Sequence, residues 1–395
     1  MPYGNIHRSD RLFLPQQMLA RFAAQVPTPF YLYNEDGIRK SAHTIKGSFC
    51  WNSGHRQWLP LTANATPAVL RIACEEGFGV LVQSESELRF AQHCQFTGDD
   101  ILLHTSAMTD TLAALAEKSG CGIIFDAPCQ IHKMEGRLPK RCLLRVHPER
   151  LPGGSQFTTN ADKCKSGMSR EQILQAAHHL SASGVEEIGL HCHLFANARQ
   201  ESRYLEAADL LFTLAAELRS RCDIRIRCCD LGGGVGIGHP LPNLPHIGAQ
   251  IRTLYQAAFP NGKGPALYTE LGRYAIGRHG ILVCRVVEVR ERSRRHVILD
   301  ASTPTYPYQR DCHISVVGNC RREGRLVYAI HGCTPSPHDR FCDRAVLPEI
   351  QPGALLAIHD AGAYDESVRS RLCMLPDRRS YLYTRSHQIV PADCV

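Results

Sequence analysis

Cys229-Asp230-Leu231-Gly232-Gly233-Gly234-Val235-Gly236-Ile237 is the stretch on which the reading of the fold turns. It follows Ile224-Arg225-Ile226-Arg227-Cys228, which reads as a strand, and precedes a helical run beginning near Pro245. A glycine-rich strand-to-helix turn suits a phosphate. Glycine lets the backbone approach an anion, and a helix N-terminus offers unpaired N–H groups and a partial positive charge. The spacing matches neither the dinucleotide fingerprint Gly-x-Gly-x-x-Gly nor the nucleoside-triphosphate loop ending in Lys-Ser/Thr. On these residues alone a plain tight turn is an equal reading, so the flanking segments decide.

Outward from the turn, short apolar runs alternate with amphipathic stretches. The runs are Trp58 to Ala63, Gly79 to Ser84, Asp100 to Thr105, Cys121 to Asp126, Arg141 to His147, Glu187 to Leu194, Ile224 to Asp230 and Ala266 to Glu270. The helical stretches include Pro67 to Glu76, Glu85 to His93, Thr109 to Lys118, Arg170 to Ser183, Gln200 to Arg221 and Ile247 to Phe259. Apolar strands alternating with helices imply a parallel sheet, and eight of them predict a closed (β/α)8 barrel over residues 35–279, with an open doubly wound sheet as the alternative. Beyond Gly280 the strands at Ile281–Val287, Arg295–Leu299, Arg325–Ile330, Ala354–Ile358 and Ser380–Tyr383 follow one another without helices, which predicts an all-β domain. The strand Phe30-Tyr31-Leu32-Tyr33 is expected to join it, with no helix before it, so the second domain is read as 1–34 plus 280–395.

A hydrophobic content of 44% with 21% charged residues places the chain among globular proteins. The net charge of +7 is spread without a dense basic run, which gives no reason to expect nucleic acid and suits an anionic ligand. Neither a signal-peptide layout nor an apolar run of membrane-spanning length is present, so the expectation is a cytoplasmic protein without membrane contact. The 18 cysteines include no Cys-x-x-Cys pair and read as reduced, buried side chains. A zinc site at His191-Cys192-His193 is disfavoured, because on a strand the two histidines share a face and Cys192 points away. No metal is expected.

Strand C-termini converge on one mouth of a barrel. Here they carry Thr62-Ala63-Asn64, Ser84, His191-Cys192-His193, Asp230 to Gly234 and Glu270-Leu271-Gly272-Arg273. A phosphate turn, a histidine, a carboxylate and an arginine around one mouth suit a phosphorylated aromatic cofactor. With Thr28-Pro29-Phe30-Tyr31-Leu32-Tyr33, Ala63 to Leu70, Gly189 to His193, Asp230 to Ile237, Glu270 to Arg273, Gly332-Cys333 and His359-Asp360-Ala361-Gly362-Ala363-Tyr364 in this order, the chain resembles the fold-type III pyridoxal-phosphate decarboxylases, the diaminopimelate and ornithine decarboxylase group. The resemblance covers almost the whole chain. It implies pyridoxal 5'-phosphate as cofactor and a homodimer with shared active sites. His193 would stack on the pyridine ring, Gly233, Gly234 and Gly272 would hold the phosphate, and Glu270 would bond the pyridine nitrogen. Arg273 would hold the phosphate or a substrate carboxylate, Tyr364 would close on the phosphate, and Cys333, from a second subunit, would serve as proton donor or its neighbour.

The chain departs from the family's pattern at several of these places. Where the family has Lys-Ala-Asn, whose lysine forms the Schiff base, this chain has Thr62-Ala63-Asn64. A hydroxyl cannot form an imine. Leu81 stands for a usual aspartate, Phe195-Ala196 for Gly-Ser, Cys333-Thr334 for Cys-Glu, and Tyr306 for an arginine before a proline. Together these argue for natural divergence, and the last two argue against meso-diaminopimelate as substrate. Lys165 matches a Lys-Phe-Gly motif near the family's dimer interface; an interface salt bridge is the favoured reading there. Three functions follow. The first is a divergent decarboxylase, a C–C lyase acting on an amino acid or a derivative, with the cofactor bound non-covalently. The second is a non-catalytic binding or regulatory homologue. The third is an enzyme without the cofactor that uses His193, Cys333 and Tyr364 as acid–base groups.

Overall fold

In the computed structural model of the chain, the described residues are 12–147, 164–238, 240–303, 313–318, 326–367, 373, 375 and 377–393. Helix α1 (Gln16–Ala23), strand β1 (Phe30–Asn34) and helix α2 (Glu35–Phe49) come first. Strands and helices then alternate as β2 (Arg56–Pro60), α3 (Pro67–Glu75), β3 (Gly79–Val82), α4 (Glu85–His93), β4 (Ile101–His104), α5 (Asp110–Ser119), β5 (Gly122–Phe125), α6 (Pro128–Lys133), β6 (Arg141–Arg145), α7 (Arg170–Ala182), β7 (Glu187–His191), α8 (Ser202–Cys222), β8 (Cys228–Asp230), α9 (Leu244–Ala258), β9 (Ala266–Thr269) and α10 (Gly272–Ile276). Strands β2 to β9 close into one barrel in chain order, each pair parallel, and β2 pairs with β9. The expected barrel is therefore the fold, and the open sheet is not.

Local chemistry sets the helix ends. Ser84 and Thr109 cap α4 and α5 by accepting from the amides of Glu87 and Leu112, and Gly120 ends α5 in the left-handed region. Helix α7 starts with a reciprocal capping box between Ser169 and Gln172. Inside the barrel Trp58, Leu81, Leu102, Ile124, Leu143, Cys228 and Tyr268 form one apolar cluster. A side chain at Gly79 would run into the Trp58 ring, which is why the strand beside that indole carries glycine.

The chain divides into two compact units. One comprises Arg39–Leu61 and Leu70–Ala275 and contains the barrel. The other takes the segments up to Ile38, Thr62–Val69 and from Ile276 onward. In the second unit strands β10 (Gly280–Glu291), β11 (Arg295–Leu299), β12 (Ile314–Val317), β13 (Leu326–His331), β14 (Arg340–Leu347), β15 (Leu355–Ile358), β16 (Arg379–Tyr383) and β17 (Ile389–Pro391) follow. The sheet runs β14-β13-β11-β10-β1-β16-β17, and β15 pairs with β10 and β12. The first part of β10 pairs with β1 and β15, and after a register shift between Val286 and Glu288 it pairs with β11. Such a bulge bends a strand, so one long strand serves two sheet surfaces. Phe30, Leu32, Ile281, Val283, Tyr381 and Tyr383 build its core with Leu19 and Ala23 of α1.

Strand β1 does join the β unit, parallel to β16 and antiparallel to β10. The expectation that no helix precedes it is corrected by α1, whose Leu19 and Ala23 are buried in that core. Strands β12, β14 and β17 were not anticipated. The strand expected over Ile224 to Asp230 is confined to Cys228–Asp230.

Candidate active site

Successive barrel strands end in polar residues at matched heights. Across β6, β7 and β8 the register sets Arg145 beside His191 and His191 beside Asp230. His104 ends β4, Asp126 follows β5, and Glu270 follows β9. The result is a run of titratable side chains around the C-terminal rim of the barrel.

At one end of this run Asp126 accepts from Ser106 Oγ (3.0 Å), the Gly167 amide (3.1 Å) and Arg145 Nη1 (3.3 Å). Burial alone would raise its pKa, but the bond from His104 and the charge of Arg145 outweigh it and hold the carboxyl well below the usual range. Arg145 Nη1 also lies 3.2 Å from His104 Nε2. The His104 ring meets the His191 ring edge to face, 5.1 Å between centroids.

The other end is buried except at His193, whose side chain is partly exposed. His191 Nε2 is 3.3 Å from Glu270 Oε1, and His193 Nδ1 is 3.7 Å from Glu270 Oε2. His191, Asp230 and Glu270 bring one ligand atom each within 4.8 Å of one another. His191 and Asp230 are wholly buried, and Glu270 is 3% exposed. Both His191 nitrogens, Asp230 Oδ2 and Glu270 Oε1 make no hydrogen bond among the described residues. Burial pushes the His191 pKa down to about 4, against the pull of Glu270. Burial, and then the neighbouring Glu270 charge, raises Asp230 well above the carboxylate range. For Glu270 burial opposes ionisation, and His191 and His193 outweigh it. Of the two neighbouring carboxyls, Asp230 is thus the one that holds a proton more readily and Glu270 the one that ionises more readily.

The glycine turn packs against this cluster. A side chain at Gly232, Gly233 or Gly234 would collide with the carbonyl oxygen of Cys192, Glu270 or Phe195, respectively. Gly232 and Gly234 also sit at φ 67° and 95°, where glycine is favoured. The Gly232 amide donates to Asp230 Oδ1 (2.9 Å) and the Gly233 amide to His193 Nδ1 (3.4 Å), while the Gly234 amide makes no hydrogen bond among the described residues. The helical run expected near Pro245 begins at Leu244, capped by Asn243. Intervening chain separates Gly236 from that helix, so its N-terminus does not adjoin the turn and the expected helix contribution to an anion site is withdrawn. Close packing of the backbone of neighbouring loops accounts for the glycines.

Of the residues singled out from the sequence, the barrel unit brings together His193, Gly233, Gly234 and Glu270, with Gly272 and Arg273 at the start of α10 directly after Glu270. Cys192 points away from the two histidines, its Sγ 4.0 Å from Ala207 O on α8. Cys333 and Tyr364 lie in the β unit. The Cys333 amide donates to Ala301 O (2.9 Å), the side chain is exposed, and partial burial followed by the Asp339 charge raises its thiol. Tyr364, at φ 58°, donates its amide to Ala63 O (2.8 Å), and Asn64 Nδ2 donates to Gly362 O (2.9 Å). The Thr62 carbonyl accepts from Ser367 Oγ (2.6 Å). Thus the Thr62–Asn64 segment and the Gly362–Ser367 loop are bound to each other within one unit. Lys165 is exposed; Tyr306 lies outside the described residues.

Two features were missed from the sequence. The Asp230–Glu270 carboxyl pair was read only as parts of separate motifs, although strand-end position was available as a signal for both. Asp339 was not singled out. Its Oδ1 accepts from the Thr303 amide (2.7 Å) and hydroxyl (2.9 Å), and its Oδ2 from the Thr334 amide (2.9 Å) and hydroxyl (2.6 Å). Nothing in the residue types announces that.

These buried histidines predict acid sensitivity. His55, His191 and His359 each have a folded pKa near 4, lowered chiefly by burial from an ordinary 6.5. The folded state binds fewer protons, so their contribution is complete above pH 6.5 and is lost as pH falls toward 4, on the order of 1 kcal/mol or more each. Asp360, raised by burial to about 6, works in the opposite sense between pH 3.8 and 6. Asp230, raised by burial, acts in the same sense as Asp360, and the three histidines outnumber these two carboxyls, so the melting temperature is expected to fall between pH 7 and 5. A level or rising melting temperature over that range would contradict these assignments.

The barrel rim with its buried carboxylate, and the presence of a β unit in the same chain, define a class. The profile of the family described as pyridoxal-dependent decarboxylase, pyridoxal binding domain, matches residues 37–277, and the chain belongs to that family. It is 28% identical over 351 residues to Protein TabA of Pseudomonas amygdali pv. tabaci, covering 87% of this chain and 82% of that protein. It is 27% identical over 364 residues to the diaminopimelate decarboxylase of Methanothermobacter thermautotrophicus, covering 88% and 85%. Among solved structures, the diaminopimelate decarboxylase of Helicobacter pylori complexed with L-lysine superposes with a TM-score of 0.84 at 21% identity, over 95% of each chain. That likeness is one of fold. The family is pyridoxal-dependent, and the chain is a decarboxylase-like protein of amino-acid chemistry. Among the described residues no helix is long and apolar enough to cross a membrane.

Proposed function

We propose that this protein binds pyridoxal 5'-phosphate at the rim of a barrel domain spanning 35–279, without a covalent link to residue 62, as a divergent C–C lyase acting on an amino acid or a derivative of one. The observation that carries the proposal is Glu270, a buried ionised carboxylate with one oxygen lacking a hydrogen-bond partner at the end of β9. A protonated pyridine nitrogen would supply that missing donor. The glycine turn fits less specifically, since its glycines are required by neighbouring backbone; the Gly234 amide is the donor it offers an anion.

In this reading Glu270 holds the ring nitrogen, His193 flanks the ring, and Gly233, Gly234, Gly272 and Arg273 hold the phosphate. Asp230, protonated, lowers the cost of keeping Glu270 charged out of water. When bound, the cofactor supplies an electron sink for the carbon that loses carbon dioxide. Tyr364 and Cys333 are assigned, on the family's pattern, to a phosphate contact and a proton donor in a homodimer. The raised Cys333 pKa keeps that thiol protonated at neutral pH, as a donor requires.

A second reading, a non-catalytic binding homologue, has its own support. Thr334, where the family has a glutamate, has both its amide and its hydroxyl engaged by Asp339. Titration of the purified protein with pyridoxal phosphate, followed by absorbance before and after borohydride, tests the proposal. Saturable binding that Glu270→Ala weakens, with no reducible band, is expected. Absence of binding would sink it, and binding without carbon dioxide release from any amino acid supplied would favour the second reading.

A further inference from the structure

Among the described residues, one other group of histidine and carboxylate side chains converges outside the barrel rim: His132, Glu135 and His179. We propose that these three residues form a transition-metal site, of the class that takes Zn2+, which clamps α6 to α7 on the outside of the barrel.

The local structure sets the three in place before any ion is considered. Helix α6 begins with Pro128 at its first turn and ends at Lys133, with His132 in the last turn. The buried Met134 anchors the chain there, and the Glu135 amide donates to His132 O (3.2 Å), which turns Glu135 back over the histidine. His132 Nδ1 and Glu135 Oε1 are 3.0 Å apart. Helix α7 buries Ile173, Ala176, Ala177 and Leu180, and His179 lies beside that face, its ring 5.8 Å from the His132 ring. His179 Nε2 lies 3.6 Å from the same Glu135 Oε1.

That second distance is too long for a hydrogen bond. His179 Nε2 is nevertheless shielded from water and has no hydrogen-bond partner among the described residues. A cation resolves this. With zinc–nitrogen and zinc–oxygen bonds of about 2.0–2.2 Å in a tetrahedron, ligand atoms stand about 3.4 Å apart. The two separations to Glu135 Oε1 straddle that value and all three ligand atoms lie within 4.8 Å of one another, so side-chain rotation alone closes the site. Two imidazoles and one carboxylate favour Zn2+, Cu2+ or Ni2+ over Mg2+ or Ca2+, which prefer all-oxygen shells. Half of the His132 and Glu135 side-chain surface or more is exposed, which leaves the fourth position to water. The helices joined follow β5 and β6, so the clamp would stiffen consecutive units of the barrel and raise stability by linkage.

The test uses full-length protein stripped with a chelator, then supplied with Zn2+, with metal content and melting temperature measured for wild type, His179→Gln and His132→Gln. Wild type is expected to hold one zinc more per chain than either variant, and only wild type should melt higher with zinc. His132 is exposed, so its variant retains the fold even if the change at His179 does not. Because cysteines also bind zinc, Co2+ is added in parallel. A spectrum without sulfur charge transfer that disappears in His132→Gln supports the site. Equal zinc content and equal melting shifts in all three proteins, or a cobalt spectrum made up only of sulfur bands, would overturn it.

Discussion

Protein carrying Thr62→Lys is expected to take up pyridoxal phosphate as a covalent adduct, with an absorbance band that borohydride reduction abolishes and a cofactor mass fixed to the peptide containing residue 62. Wild-type protein under the same conditions should show neither. The physical difference is a primary amine, which condenses with an aldehyde, against a hydroxyl, which does not. The backbone there is already held. The Leu61 amide donates to Leu81 O (2.9 Å), and the Thr62 carbonyl accepts from Ser367, so a longer side chain can be added without moving the chain. Retention of the cofactor should improve by at least about tenfold, or ~1.4 kcal/mol. Leu81 stands where the family has an aspartate and packs in the apolar barrel cluster, so a new lysine would lack that counter-charge. A Thr62→Lys protein that binds the cofactor but yields no reducible adduct would mean that residue 62 does not occupy the lysine's place.

The second large effect concerns the turn. Gly233→Ala is expected to destabilise the protein by about 3 kcal/mol or more, because its new methyl group would meet the carbonyl of Glu270, and backbone cannot yield as a side-chain tip can. The displaced segment carries Glu270 itself, so pyridoxal phosphate binding should fall with stability. Gly47→Ala is the control. It lies in α2 with nothing near its added methyl, and alanine in a helix should gain about 1 kcal/mol. Denaturant unfolding of the two variants separates the cases; a Gly233→Ala protein within 0.5 kcal/mol of wild type would refute the packing account.

The barrel was legible because its strands are buried on both faces and its helices are amphipathic, so Leu102, Ile123, Ile124, Leu143 and Leu190 stand out as runs between polar stretches. Strand ends were legible for the same reason, and with them the positions of His191, Asp230 and Glu270. Their coupling was not. Whether two carboxyls share a charge depends on register across β8 and β9, which pairs Asp230 with Tyr268 and is invisible in either strand alone. In the β unit, β14 and β17 carry charge or proline and alternate weakly, as Arg340, Asp343, Arg344 and Pro391 show, so period-2 reasoning missed them. Helix α1 was missed because Pro15, a residue without a side-chain cap, opens it. At the glycine turn the residue types left a ligand cradle and a plain tight turn equally open. Neighbouring carbonyls account for the missing side chains, and the Gly234 amide is the donor left to offer an anion.

The four bonds that Asp339 accepts also bear on which substitutions this loop tolerates. A glutamate restored at residue 334 would keep the amide bond to Asp339 but lose the hydroxyl bond, and would bring a second carboxylate toward the first. A glutamate would thus be unwelcome in this loop unless Asp339 or Thr303 changed as well. The two positions therefore differ in what they demand: a lysine at residue 62 is a single change, whereas a glutamate at residue 334 depends on its neighbours changing with it.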